Sequence, residues 1–168
     1  MVHPLVEQLR FTRAEFVRAL AGVTAEEAQR RFLPMNSLGW IVGHLAAQEH
    51  RYWLLRAQGR AILPELDRSV GYGAPASTPP LAAMWADWHT VIAAVDPYLD
   101  SLTTGRLQEF MIIDGRPHDE SIGSMLRRVT YHYWYHIGEA QAIRQLLGHA
   151  DLPEFVGDIQ LGGPYRPE

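Results

Sequence analysis

The sequence predicts an all-α protein, a four-helix bundle with long connections and an irregular C-terminal tail. Two observations carry this. Four long amphipathic segments alternate with Pro/Gly-rich joints, and strand signal is nearly absent. The composition is that of a globular chain, with 168 residues, 47% hydrophobic and 20% charged. That is enough apolar material for one core, so residues 1–168 are expected to form a single domain.

The first helix runs from about Pro4 to Leu20. Leu5, Leu9, Phe16 and Leu20 lie near one face, with Arg10, Arg13 and Glu15 elsewhere. Thr24 stands three residues before Glu27, a capping-box pattern that opens a short helical turn, and "FLPMNS" breaks it. Asn36 or Ser37 caps the second helix, which reaches about Gln58 and stops at Gly59. Its stripe is Ile41, His44/Leu45, Gln48, Tyr52 and Leu55. The connection "GRAILPELDRSVGYGAPAS" is long for a compact domain, as a functional lid or a segment with its own short helix would be.

Ser77 or Thr78 is expected to cap the third helix, with Pro79 in its first turn. Leu81, Trp85, Trp88, Ile92, Val95 and Leu99 form its stripe. "TTGRLQEFMIIDGRPHDES" interrupts the pattern, and Asp114-Gly115 suggests the turn of a small hairpin. The fourth helix starts near Ser121 and ends at Gly148. Its seam is Met125, Val129, His132, His136, Ala140 (or Glu139), Ile143 and Leu147. The last twenty residues read as an irregular tail lying on the bundle.

Composition removes several function classes. A net charge of -4 argues against a nucleic-acid-binding surface. There is no cysteine, so disulfides, thiolate catalysis and thiolate metal sites are excluded. Every basic side chain is arginine, which excludes Schiff-base lysine chemistry and a P-loop. The N-terminal stretch carries charges throughout and has no apolar core of a secretory signal. No run approaches the ~18 apolar residues of a membrane span. The expectation is a cytoplasmic protein with no membrane and no nucleic-acid partner. None of HExxH, GxSxG, Walker A or a complete GxGxxG is present.

The chemistry-bearing feature is "TYHYWYHIGEAQAIRQLLG". His132 and His136 lie four apart on the predicted seam, so both imidazoles face the same way one turn apart. Such a pair can converge on one ion, and neutral imidazole suits zinc, nickel, iron and copper. The pair is also compatible with two core histidines bonded to their neighbours. With 8 histidines in 168 residues the spacing arises readily by chance. On the second helix, "NSLGWIVGHLAAQEHRYW" puts His44 on or beside the apolar stripe. His50 lies roughly 120° away around that helix. His44 is therefore the better third ligand.

A histidine followed by leucine on the second helix, then a His-x-x-x-His pair late in the fourth, resembles the DinB-like (YfiT-type) superfamily. "HYWYHIGEAQAIRQLLGH" is the most specific part, and length and segment order match over nearly the whole chain. The resemblance implies an up-down-down-up four-helix bundle and a divalent metal held by His44, His132 and His136. Many members carry Gly-Gln after the pair, whereas this chain has Gly138-Glu139. Glu139, three residues after His136, is thus a candidate carboxylate partner at the site, or equally a residue facing a neighbouring helix. Family members include enzymes that use low-molecular-weight thiols, mycothiol-dependent isomerases and bacillithiol-type S-transferases among them. Zinc or nickel and a small thiol are accordingly the implied cofactors.

Three functions follow as expectations. The first is a metal-dependent transferase in which a low-molecular-weight thiol attacks an electrophilic small-molecule substrate. The second is a hydrolase using metal-activated water on the same ligands. The third is a non-catalytic metal- or small-molecule-binding bundle. Arg51, Arg56, Arg127 and Arg128 are candidates for recognising a carboxylate, against an ordinary reading as solvated arginines. His89 reads as a boundary histidine beside Trp85 and Trp88. His3, His118 and His149 receive no role. Tyr131, Tyr133 and Tyr135 alternate around their helix, so at least one must face solvent, the tail or another subunit. A homodimer is expected, from the resemblance and from aromatic excess on the second and fourth helices.

Overall fold

The chain opens with α1 (Pro4–Ala19), in a computed structural model that describes residues 2–167. His3 caps it, its Nδ1 accepting the Leu5 amide at 3.1 Å. The short α2 (Ala25–Gln29) carries the expected capping box, with the Thr24 and Glu27 side chains exchanging hydrogen bonds with each other's backbone. Ser37 caps α3 (Leu38–Glu49). The remaining helices are α4 (Leu66–Val70), α5 (Leu81–Asp100), α6 (Thr104–Gln108), α7 (Ile122–Leu146) and α8 (Ile159–Gly162). One two-stranded antiparallel sheet, β1 (Phe110–Ile113) and β2 (Arg116–Ser121), lies between α6 and α7. The protein is thus mostly helical, as the sequence predicts, and the hairpin turns at Asp114-Gly115, both with positive φ.

The second helix departs from expectation in one respect. After Glu49 it continues as a π-helical stretch, His50–Arg56, before ending at Gly59, whose φ is 64°. A π turn takes more residues per revolution than an α turn and so rotates the following face. The predicted stripe through Tyr52 and Leu55 is therefore out of phase. Leu55 is exposed and Tyr52 only half-buried, while Trp53 and Leu54 are fully buried.

The third helix also starts later than predicted. Neither Ser77 nor Thr78 caps α5; Pro80 occupies the N-cap position without a side-chain bond. Pro79 instead lies against α3, where a Cβ on Gly39 would stand 2.4 Å from its carbonyl oxygen. Gly43, one turn on, faces the Met84 sulfur in the same way. The two glycines let α3 approach α5 more closely than any side chain would allow. On α5, Met84 and Val91 are buried, whereas the predicted Trp85 and Ile92 are half-buried.

α1 packs on α7, α3 on α5, and α3 on α7. Phe16, Trp53, Tyr133, Leu9, Leu45 and Met125 are among the largest side chains buried between them. The tail lies along α1: Gln8 donates to the Gly163 carbonyl at 3.0 Å, and Glu15 accepts the Gly157 amide at 2.7 Å. No helix among the described residues is long and apolar enough to cross a membrane.

His50, the first residue of the π stretch, holds the connection that follows. Its Nε2 accepts the Ile62 and Leu63 amides at 3.1 and 3.3 Å. Burial lowers its pKa, with nearby Asp67 acting in the opposite direction. A histidine with a depressed folded pKa contributes stability that is complete above the ordinary value of about 6.5 and is lost as pH falls below it. Urea unfolding should therefore show wild type losing more stability between pH 7.5 and 5.5 than His50→Gln does. Equal losses would contradict the assignment.

Candidate metal centre

Three helical histidines meet at the contact between α3 and α7. His44 comes from the middle of α3; His132 and His136 come from successive turns of α7. One ring nitrogen of each lies within 4.8 Å of the others. Ring centroids are 5.1 Å apart for His44 and His132, 5.2 Å for His44 and His136, and 4.5 Å for the α7 pair. His44 and His136 are buried and His132 half-buried. The structure thus brings together all three of the residues singled out in the sequence.

Each ring is oriented through its Nδ1. His44 donates from Nδ1 to the Val70 carbonyl at 2.7 Å. That carbonyl stands at the end of α4, so the long connection helps to set the site. The indole of Trp40 stacks on the same ring, with centroids 4.4 Å apart and planes 14° from parallel. His136 donates from Nδ1 to Glu139 Oε2 at 2.7 Å. His132 Nδ1 meets Gln48 Oε1 at 2.7 Å. With oxygen acceptors on every Nδ1, the Nε2 lone pairs are left available to a metal ion.

Two of those atoms, His132 Nε2 and His136 Nε2, are only 3.0 Å apart. With both Nδ1 atoms protonated, this contact places lone pair against lone pair. A cation between them removes the repulsion. Without one, His132 must shift its proton to Nε2 and the Gln48 amide must turn to donate. Burial, and then the neighbouring rings, push His132 down to about 3. Burial pushes His44 down to about 4, despite its bond to Val70. Both rings are therefore neutral at pH 7, the form that binds metals. Three imidazoles with Nδ1 held by a carbonyl, an amide and a carboxylate fit a divalent ion in both donor chemistry and outer support.

A cavity of about 690 Å³ opens beside the cluster, lined in part by His44, Gln48, Tyr52 and His132. It supplies room for a small molecule next to the histidines.

Behind the site lies a buried ion pair absent from the sequence reading. Arg13, expected on the polar side of α1, is buried against Glu49, which is fully buried. Arg13 Nε donates to Glu49 Oε1 at 2.8 Å, and Nη2 pairs with the other carboxylate oxygen. Its Nη1 reaches Asp96 at 2.7 Å. Tyr133 donates to Glu49 at 2.7 Å and accepts from Trp88 Nε1 at 2.7 Å. Burial opposes the Arg13 charge, yet Glu49 holds its pKa above the ordinary arginine value. Burial, followed by the Glu49 charge, raises Tyr133 well above the usual phenol range. One network therefore joins α1, α3, α5 and α7.

The other histidines serve local structure. His118 accepts the Glu120 amide at 3.1 Å, and His149 bridges Arg144 and Glu27 at 3.0 Å each. His89 is exposed, with its ring against Trp88. Among the arginines, Arg56 lies over the Tyr52 ring, whereas Arg51, Arg127 and Arg128 line the cavity. Of the three tyrosines on α7, Tyr133 is fully buried and Tyr131 and Tyr135 are exposed.

A comparison with curated proteins finds no match. A family model, the DinB superfamily, matches residues 8–140, a span that contains all three clustered histidines. That span is most of the chain, and the protein belongs to the DinB superfamily.

Proposed function

We propose that the protein is a divalent-metal-dependent transferase that uses a low-molecular-weight thiol, with His44, His132 and His136 as the ligands. The single observation that carries this is the convergence of one ring nitrogen from each of three histidines beside a cavity, the His132 and His136 Nε2 atoms 3.0 Å apart. The donor set favours zinc or nickel. The protein is read as a single-domain, up-down-down-up four-helix bundle that acts as a cytoplasmic homodimer.

When bound, a divalent ion would supply positive charge that keeps a thiol ionised at neutral pH. The chain's own residues do the rest. Val70, Gln48 and Glu139 fix the rings, and the cavity admits the thiol and an electrophile side by side. The thiol sulfur forms a bond to the electrophilic carbon, and the leaving group departs with its electron pair. The absence of cysteine is consistent with a nucleophile brought in from outside.

The test is product analysis with metal-loaded protein, a small thiol and 1-chloro-2,4-dinitrobenzene. A conjugate that requires both metal and thiol is expected. Turnover without thiol would replace transfer with hydrolysis, and retained transfer in His136→Ala would reject the mechanism.

Glu139 should matter through His136. Removing an outer partner of a ligating histidine typically weakens metal binding by about 10- to 100-fold. Glu139→Ala is expected to fall in that range, and a competition titration with a chromophoric chelator measures it. Unchanged affinity would assign Glu139 to the helix surface alone.

A further inference from the structure

Three guanidinium groups line the cavity, those of Arg51, Arg127 and Arg128, together with one carboxylate, Glu120. Two of the three are matched. Arg51 donates from Nε to Asp67 at 3.0 Å. Arg128 donates from Nε to Glu120 at 2.8 Å. Arg127 differs. Its Nε and Nη2 donate to the Tyr131 hydroxyl at 3.3 and 3.0 Å, and its guanidinium carbon lies 5.8 Å from the centre of that ring. Among the described residues it forms no ion pair with a carboxylate.

A phenol holds a guanidinium in place without neutralising it. The wall therefore keeps a positive charge, even after Asp67 and Glu120 are set against Arg51 and Arg128. A cavity with such a wall concentrates anions. Position narrows the ligand further. Arg127 precedes His132 by five residues on the same helix. At 1.5 Å and 100° per residue the two are offset by about 7.5 Å along the axis and about 140° around it, and both line the same cavity, so a short molecule with a polar group at each end can meet both.

We infer that the cavity takes a small anionic ligand, its carboxylate or phosphate group held by Arg127 and its other end at the histidine cluster. The position of that second end rests on the proposed metal site; the contact with Arg127 does not. At least one reactant of the proposed transferase, the thiol or the electrophile, is thereby a short acid. Tyr131 is a positioning residue for the guanidinium.

The probes are glutarate and butyrate, which share one carboxylate and differ in the second. Both are titrated calorimetrically into metal-loaded wild type, Arg127→Gln and Arg56→Gln, with metal content measured on the same samples. Wild type is expected to prefer glutarate by about tenfold, the scale of one charge-assisted contact. Arg127→Gln should bring the ratio close to one with metal content unchanged. Arg56→Gln should leave it intact, since Arg56 lies over the Tyr52 ring. No preference in wild type, or the same preference in Arg127→Gln, overturns the inference.

Repeating the titration on metal-free protein separates the two readings. If no variant binds metal, the proposed function fails. Weaker binding of butyrate by metal-free Arg127→Gln than by metal-free wild type then retains the anion site, and equal binding overturns that too. Substituting 4-phosphonobutyrate for glutarate shows which head group the guanidinium prefers, and a preference for either over butyrate supports the assignment.

Discussion

Glu49→Ala is expected to destabilise the protein by about 3–5 kcal/mol, the usual result of stripping one partner from a buried ion pair. Glu49 is fully buried, and it receives Arg13 through two nitrogens and Tyr133 through its hydroxyl. Without it, Arg13 keeps a charge far from water, with only the partly exposed Asp96 opposite. Tyr133 loses an acceptor in a site with no exposure at all. The double variant Arg13→Met/Glu49→Leu should recover most of the loss, because the apolar pair strands no charge. Urea unfolding measures both. A loss below about 1 kcal/mol for Glu49→Ala would place the pair with ordinary surface ion pairs.

The same substitution should reach the metal centre. Glu49 follows Gln48, which holds His132, and Tyr133 follows His132. The ion-pair network and the histidine cluster are thus built from adjacent residues on the same two helices. What fixes α3 against α7 also fixes His44 against His132 and His136. Glu49→Ala is therefore expected to weaken metal binding even though it removes no ligand.

Much of this was readable from local pattern. Apolar spacing gives the long helices, Thr24 and Ser37 give caps that the structure bears out, and Asp114-Gly115 gives the hairpin turn. The cluster was readable because His132 and His136 share a helical face, and because His44 sits beside an apolar stripe. The remainder depends on information that no local window contains. Arg13 and Glu49 are 36 residues apart, and charged residues are expected outside unless a partner is known. The π stretch after Glu49 has no compositional mark, yet it shifts burial from Leu55 to Trp53 and Leu54. The tie from His44 to Val70 spans 26 residues and required the path of the connection.

Saturating zinc or nickel is expected to stabilise wild type and leave His136→Ala unmoved. An ion that binds only the folded state adds RT ln(1 + [L]/Kd), about 2.7 kcal/mol at a hundredfold excess over Kd. The physical cause lies between His132 and His136. Their Nε2 atoms, 3.0 Å apart, repel unless a proton or a cation lies between them. An ion held there would also join α3 to α7 through His44. Removing His136 takes away one ligand and the contact itself, so little linkage should remain. Denaturant titration with and without metal measures the difference. An equal shift in both proteins would place the ion elsewhere, with His149 and Glu27 among the residues to examine next.

Elemental analysis of tag-free protein, wild type beside His136→Ala, tests the metal centre most directly. The proposed metal centre predicts about one equivalent of a divalent metal, zinc or nickel, in wild type and little in the variant, as a single three-histidine site requires. No metal in either protein, after soaking and desalting, would contradict it. His44, His132 and His136 would then be core histidines bonded to one another, to Val70, to Gln48 and to Glu139.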